Sequence, residues 1–528
     1  MSMSMNKRMA GLTADRRLKK GLACLMTVLL LAGCGPAKPK ASEGEAAPPP
    51  SASPDETFAY ALKGVLTDAY TESQRVGALQ FDLLFDPAAK PDPSKSSSTH
   101  MAVNLMNPDE PDETASVVTD ALVDASKGDA SFVLSVGSGQ EQANTGGVYF
   151  VGDQMTIKRG DAEKKMVQYA LSPEQKAAYV ELTALERLTR TLEGDPSGTK
   201  AKDQWQADID GYLTTLKGIA AATDYKEEKL TVTVLEQQQE AEAVVLTLGG
   251  DKGWQALKGL IGLLKQNAAM NGIYDGIGSE DDNDTLDGLD RVQAHVDALT
   301  PEQVSALQFS LTAAVHQEKP LTFTLKASAG DQSLELTQMF YSDGYERHQQ
   351  VTLKHLDGSA VAYTDKNKST GGDNYAGETS MAVTKAGGIE GDLSKVQWTS
   401  VNTKDVYSAD YTYAYTFYDT DEGVRTATNT SGKLKWEQKK AGGQDITGSG
   451  KGEFHVDSDG ETQVILLDMT MEQKYGAVTV TAPEFLPAAG VTANSRETLF
   501  QALEKDQADY DEEALFGRIM SGLALLAY

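Results

Sequence analysis

Cysteine is almost missing: the 528 residues hold two, Cys24 and Cys34, and none follows. Everything beyond residue 34 therefore folds without disulfides, thiol nucleophiles or cysteine-ligated metal. A chain this long can bury a core without such staples. Basic residues are also scarce, with 48 Lys and Arg against 77 Asp and Glu and a net charge of −29. Neutralising a phosphate backbone needs clustered Lys and Arg, so nucleic acid is excluded as a partner. The acid excess favours solubility and repels polyanions and anionic headgroups. Six histidines, His100, His295, His316, His348, His355 and His455, show no His-Glu-x-x-His or comparable ligand spacing, and no metal is expected. Long apolar runs are lacking too. The clearest, Gly21 to Leu31, is too short to cross ~30 Å of hydrocarbon as a permanent helix.

That run sits in a recognisable setting. Lys7, Arg8, Arg16, Arg17, Lys19 and Lys20 precede it against the single acid Asp15, which is the layout of a signal peptide. It closes in Leu31-Ala32-Gly33-Cys34, which resembles the lipobox of bacterial lipoprotein precursors at all four positions. The resemblance implies a cut between Gly33 and Cys34 and a diacylglyceryl group on the Cys34 sulfur. It makes the membrane a partner through that lipid and places the protein, lipid-anchored, on the extracytoplasmic face of the cell membrane. Residues from Gly35 to Asp55 are rich in Pro, Ala, Ser and Glu with almost nothing large and apolar. Such a segment cannot offset its ordering entropy and reads as a tether.

The body alternates between two periodicities. Ser53-Pro54-Asp55-Glu56 reads as a capping box opening a helix to about Tyr70, with Phe58, Leu62, Val65 and Leu66 on one face. Strands are predicted at Leu79 to Leu83, around Met101 to Leu105 and Phe132 to Val136, and in a hairpin from Val148 to Lys158 turning at Gly152-Asp153. Ser172-Pro173-Glu174-Gln175 starts a helix through Leu192; others are expected over 203–220 and from Asp251. Past Thr300-Pro301-Glu302-Gln303 the chain is strand-rich to Thr481. Asp343-Gly344, Asp357-Gly358, Glu422-Gly423 and Asp459-Gly460 serve as hairpin turns, and helices over 495–504 and 511–526 close the chain. Val76 to Leu83 matches Val304 to Leu311 at six of eight positions, a hint of internal duplication.

The expected class is α+β: antiparallel curved β-sheets built as meanders, with amphipathic helices packed on one face, in two related lobes. The expected divisions are a signal peptide at 1–33, a tether at 34–55, an N-terminal α+β lobe at 56–283 and a β-rich lobe at 284–528. With its front end, this pattern resembles large lipoproteins of Gram-positive bacteria. It is also similar to the lipoprotein-carrier fold, a curved sheet wrapped over helices around an apolar cavity.

Candidate chemistry is thin. The acid run at 279–290 can be threaded on an EF-hand loop with Gly288 at its sixth position, but the twelfth is then Ala294 where a glutamate is required. Gly448-Ser449-Gly450-Lys451-Gly452 lacks the spacing of a phosphate loop, and Ser197-Gly198-Thr199-Lys200 has none of the companion penicillin-binding motifs. No catalytic residues, enzyme activity or cofactor are expected. The sharpest ligand candidate is an aromatic row, Tyr407, Tyr411, Tyr413, Tyr415 and Phe417, spaced to share one face of a strand. The same row could be a cross-strand ladder of the core. The expected function is non-enzymatic binding of an apolar or envelope-derived ligand, glycan included. The alternative is a surface scaffold acting through protein contacts.

Overall fold

A computed structural model describes residues 52–82, 95–266 and 288–505, less short stretches at 109, 139–144, 159–165, 195–199 and several turns between 331 and 489. The proposed signal peptide, Cys34, most of the tether, most of the acid run and the 511–526 helix lie outside the described residues, as do most of the four turn pairs named above.

Twenty strands form one continuous sheet. The first six, β1 (Ser97–Asn107), β2 (Glu110–Asp124), β3 (Asp129–Ser138), β4 (Thr145–Val151), β5 (Gln154–Lys158) and β6 (Met166–Ala170), pair in sequence as an antiparallel meander. A second meander runs through β7 (Tyr225–Val234), β8 (Gln237–Gly249), β9 (Gln308–His316), β10 (Lys319–Ala329), β11 (Gln332–Ser342), β12 (Arg347–Lys354) and β13 (Ala360–Gly371). It continues in β14 (Asn374–Lys385), β15 (Ile389–Asn402), β16 (Val406–Asp421), β17 (Val424–Gly442), β18 (Asp445–Ser458) and β19 (Glu461–Tyr475). β1 pairs antiparallel with β19 and joins the two runs. The short β20 (Val491–Ala493) lies parallel to β6, so β20 and β7 are the two edges.

Helices cover the sheet only toward its ends. Helix α1 (Pro54–Asp82) starts where the capping pattern put it, with Glu56 accepting from the Ser53 amide at 2.9 Å. Helices α2 (Pro173–Tyr179) and α3 (Ala184–Glu193) lie toward one end, and α4 (Lys200–Ile219), α5 (Gly250–Gln266), α6 (Gly288–Asp297) and α7 (Pro301–Ala306) toward the other. Phe58, Leu62 and Val65 of α1 join Trp205 of α4 and Leu260 of α5 over Leu246, Phe309, Phe323 and Leu336 of β8–β11. At the other end α2, α3 and α8 (Arg496–Lys505) close on Val148, Phe150, Met155 and Ile157. Between them, the face of β14–β19 and β1 is buried among its own aromatic and aliphatic side chains, including Trp398, Trp436, Phe454 and Met469.

The α+β expectation with two lobes is corrected. The molecule is a strand-dominated antiparallel sheet of twenty strands, and its helices serve two stretches of it. The apparent duplication also fails. Residues 76–82 finish α1, whereas the matching 304–311 straddles the end of α7 and the start of β9. No proline interrupts the chain between Pro54 and Pro87, so nothing stops α1 at Tyr70. The helix expected through Leu192 breaks in two, because Thr183 and Glu186 form a second capping box.

Glycine spacing in β18 has a packing cause. A Cβ on Gly448 would meet the Trp436 ring at 2.6 Å, and one on Gly450 would meet it at 2.7 Å. The indole, with no exposed surface, lies across both positions. The glycine run resembling a phosphate loop is thus the floor under a tryptophan. Substitution Gly448→Ala should cost about 1–3 kcal/mol by overpacking. Gly211→Ala, in an exposed helical position with open space around it, should instead stabilise by about 0.4–1 kcal/mol. Urea unfolding of the two variants measures both signs.

Candidate functional site

Alternation along β16 fixes the aromatic row. Tyr407, Tyr411 and Tyr413 are buried among Trp398, Leu434 and Trp436, and the Tyr413 ring lies 4.8 Å from that of Phe454. Tyr415 is half-buried on the same face, and the side chain of Phe417 lies outside the described residues. The described tyrosines therefore pack as a cross-strand ladder, and the face expected to line a ligand cavity is filled by the protein. A small void beneath the other core, lined by Leu257, Val296, Leu307 and Leu334, measures about 10 Å³, room for about one water molecule. Among the described residues no group of three or more His, Cys, Asp or Glu could hold a metal ion.

The chemistry instead collects on β11–β14, where the buried face changes from apolar to polar. Register puts Gln338 between Phe323 and Val351, Gln349 opposite Asp365, Arg347 opposite Asn367, and Asp365 opposite Thr379. All six polar residues are buried, Gln338 and Asp365 completely. Arg347 and Asp365 form an ion pair, and the Thr379 hydroxyl donates to the second Asp365 oxygen at 2.8 Å. Both amide atoms of Gln338, the Gln349 Oε1 and the Asn367 Oδ1 have no hydrogen-bond partner. A buried polar atom left unpaired costs about 1–3 kcal/mol. Three side-chain amides on adjacent strands share this condition, Gln338 at both ends and Gln349 and Asn367 at their oxygens; Trp398 Nε1, Ser400 Oγ, Trp436 Nε1 and Gln473 Oε1 are unpaired elsewhere on the sheet.

The opposite face of β12 carries His348. The backbone amide of Leu235, in the β7–β8 turn, donates to its Nδ1 at 3.1 Å. Burial and the charge of Lys366 directly opposite hold this imidazole down to about 4, with Asp365 acting in the other direction.

None of Gln338, Arg347, Gln349, Asp365 or Asn367 was singled out by motif. A signal was present nonetheless. Arg347-His348-Gln349-Gln350 is an unbroken polar run where a half-buried strand should alternate.

The outward face of β16–β19 is charged: Asp410, Lys433, Lys435, Lys451, Glu453, Asp468 and Glu472 are all exposed. A strand facing lipid carries apolar residues there. No helix of the described residues is long and apolar enough to cross a membrane.

No family model matches the chain, and no curated protein matches it in sequence. Solved structures that match include Pseudomonas aeruginosa OccK3 (OpdO), with a TM-score of 0.26, 7% identity and coverage of 73% of this chain and 96% of that one. The outer membrane channel DcaP of Acinetobacter baumannii gives 0.24 and 6%, covering 72% of this chain and 96% of its own. Acinetobacter baumannii OccAB4 gives 0.25 and 7%, covering 72% and 98%. With an outer membrane channel among the matches and the tyrosine face filled, three expectations are corrected. These are the lipid-anchored protein of the cell membrane, the apolar or envelope-derived ligand, and the surface scaffold. TM-scores this low do not put a channel in their place.

Removing one member of the buried ion pair should be severe. Asp365→Ala is expected to cost about 3–5 kcal/mol, because Arg347 is left charged in the interior. The double substitution Arg347→Met/Asp365→Leu should recover most of that loss. Denaturant unfolding of the three proteins gives the comparison.

Proposed function

We propose that this protein binds a small, neutral, polar molecule, without turnover, at the amide-lined face of β11–β14. The observation that carries the reading is Gln338, fully buried between Phe323 and Val351 with neither end of its amide hydrogen-bonded. Folding alone favours a leucine there, since an apolar residue of that size would fit the neighbours at no desolvation cost. Gln349 and Asn367 extend the same unmet capacity across two further strands. Side-chain amides both donate and accept, so together they match a solute carrying amide or hydroxyl groups. The Arg347 and Asp365 charges neutralise one another, so the site favours neutral solutes over ions. Access requires a local opening of the sheet, because these side chains are covered in the closed form.

A thermal-shift screen of the full chain against neutral amides and polyols tests this reading. At least one class should raise Tm in the wild type and leave Gln338→Leu unmoved, while the unliganded Gln338→Leu protein melts higher than the wild type. No stabilising solute, or equal stabilisation of both proteins, would overturn it.

A further inference from the structure

The β7–β8 hairpin reaches beyond its ladder and lays its tip on the outward face of β10–β12. Val234, Ala241 and Ala243 of the hairpin pack with Ala314, Leu321 and Met339, flanked by Leu230, Leu235 and Tyr341. The turn is an unusual one. Leu235 and Glu236 hold φ values of 48° and 70°, a left-handed conformation that non-glycine residues adopt at a cost. A turn in that state persists where surrounding contacts hold it. Its polar contact to the sheet is the Leu235 amide donating to His348 Nδ1.

The geometry points to an acid-released clasp: protonation of His348 frees the tip of the β7–β8 hairpin from the sheet. To accept from Leu235, Nδ1 must lack a proton, so the neutral ring carries its hydrogen on Nε2. Adding a proton to Nδ1 sets two donors against each other and ends the contact. The cation formed would also be 3% exposed, beneath the hairpin. Charged and titratable groups around it are few. Lys366 of β13 and Tyr341 of β11 lie directly opposite, with Asp343 at the Tyr341 hydroxyl. The turn itself supplies the exposed Glu236, and Asp365 is next to Lys366 on the other face of β13. Lys366 opposes the new charge and Asp365 favours it. A second histidine, His316, meets the Glu240 carbonyl at 2.7 Å, a contact that a ring protonated at Nδ1 makes whether neutral or cationic. It does not release with acid.

The pH direction follows from the lowered imidazole. Unfolded histidine takes up its proton near 6.5, but His348 in the fold does so near 4. Its contribution to stability is complete above 6.5 and declines as pH falls from there through 4. Hydrogen exchange of the full chain, read by mass spectrometry at pH 7 and pH 4 with rates corrected for pH, tests the clasp. Amides over 228–240 should lose protection at least tenfold at pH 4, while those over 430–442 in β17 and 445–456 in β18 keep theirs. In His348→Asn, whose side-chain oxygen can accept from Leu235 but takes up no proton, the hairpin should stay protected at both pH values. Protection retained by the wild type at pH 4, or an equal loss in His348→Asn, overturns the proposal. If that variant does not fold, the wild type decides alone. His348 ring resonances and hairpin exchange must then titrate with one midpoint, and separate midpoints reject the clasp.

Discussion

The ladder between β1 and β19 is the constraint on which the whole architecture depends. It pairs Ser97 through Met106 with Tyr475 back to Leu466, residues of the first strand and the last but one. Without it there are two meanders, each with a further open edge and a half-covered face. With it, Val103 and Leu105 meet Met469 and Leu467, and the central core becomes continuous across both runs. Chain ends reinforce the junction by exchange. α1, from the start of the chain, packs on β8–β11 of the second run, while β20 and α8, from its end, pack on β6 and α3 of the first. Each run therefore completes the other's core. Contacts of such sequence separation carry a large loop-closure cost before they are rewarded, so this sheet should fold slowly for its size.

Along the buried face the chemistry changes in steps. Helix-covered aliphatics over β8–β11 give way to amides and an ion pair on β11–β14, then to stacked aromatics over glycines on β15–β19. The polar step sits where helix cover ends, at the boundary between two ways of burying one face. Helices shield the first stretch and large rings shield the third. The middle stretch is buried as well, and there Gln338 has neither end of its amide paired. Stability alone gives no reason to keep glutamine there, which is the ground of the binding proposed at that step.

Much of the local structure could be read from residues. Ser172 and Thr300 mark helix starts through their capping boxes, and the alternation from Tyr407 to Tyr413 assigns the right face to the right side chains. Period-two alternation says which residues share a face, but not which strand lies beside them or what covers them. The tyrosine row was thus legible as a stripe, with a core ladder as one of its two readings, but the strands that pack against it were not legible. The deciding partners, Gly432, Gly448 and Gly450, sit on other strands and look like loop residues in isolation. Turns without glycine hid as well. Leu235-Glu236 and Gln317-Glu318 turn at positive φ with none of the usual residues, so the hairpins they form could not be timed from composition.

An open sheet of this width still has to keep its edges from pairing with other chains, and it does so differently at its two ends. On one side β20 is three residues long and tucked under α8, leaving little ladder to extend. On the other, β7 has ten residues and a free side, but it exposes Lys226, Glu227, Glu228 and Lys229 in succession. Two like charges of each sign disfavour a second strand in most registers, since direct opposition of like charges is destabilising. The charged half of that strand precedes the half that packs as the clasp, where Val232 and Val234 turn onto the outward face. One strand thus combines a guarded edge with a docked tip. Lifting the tip would uncover the alternating Leu230, Val232 and Val234, so holding it down is also a guard against self-association, beyond any role in regulation.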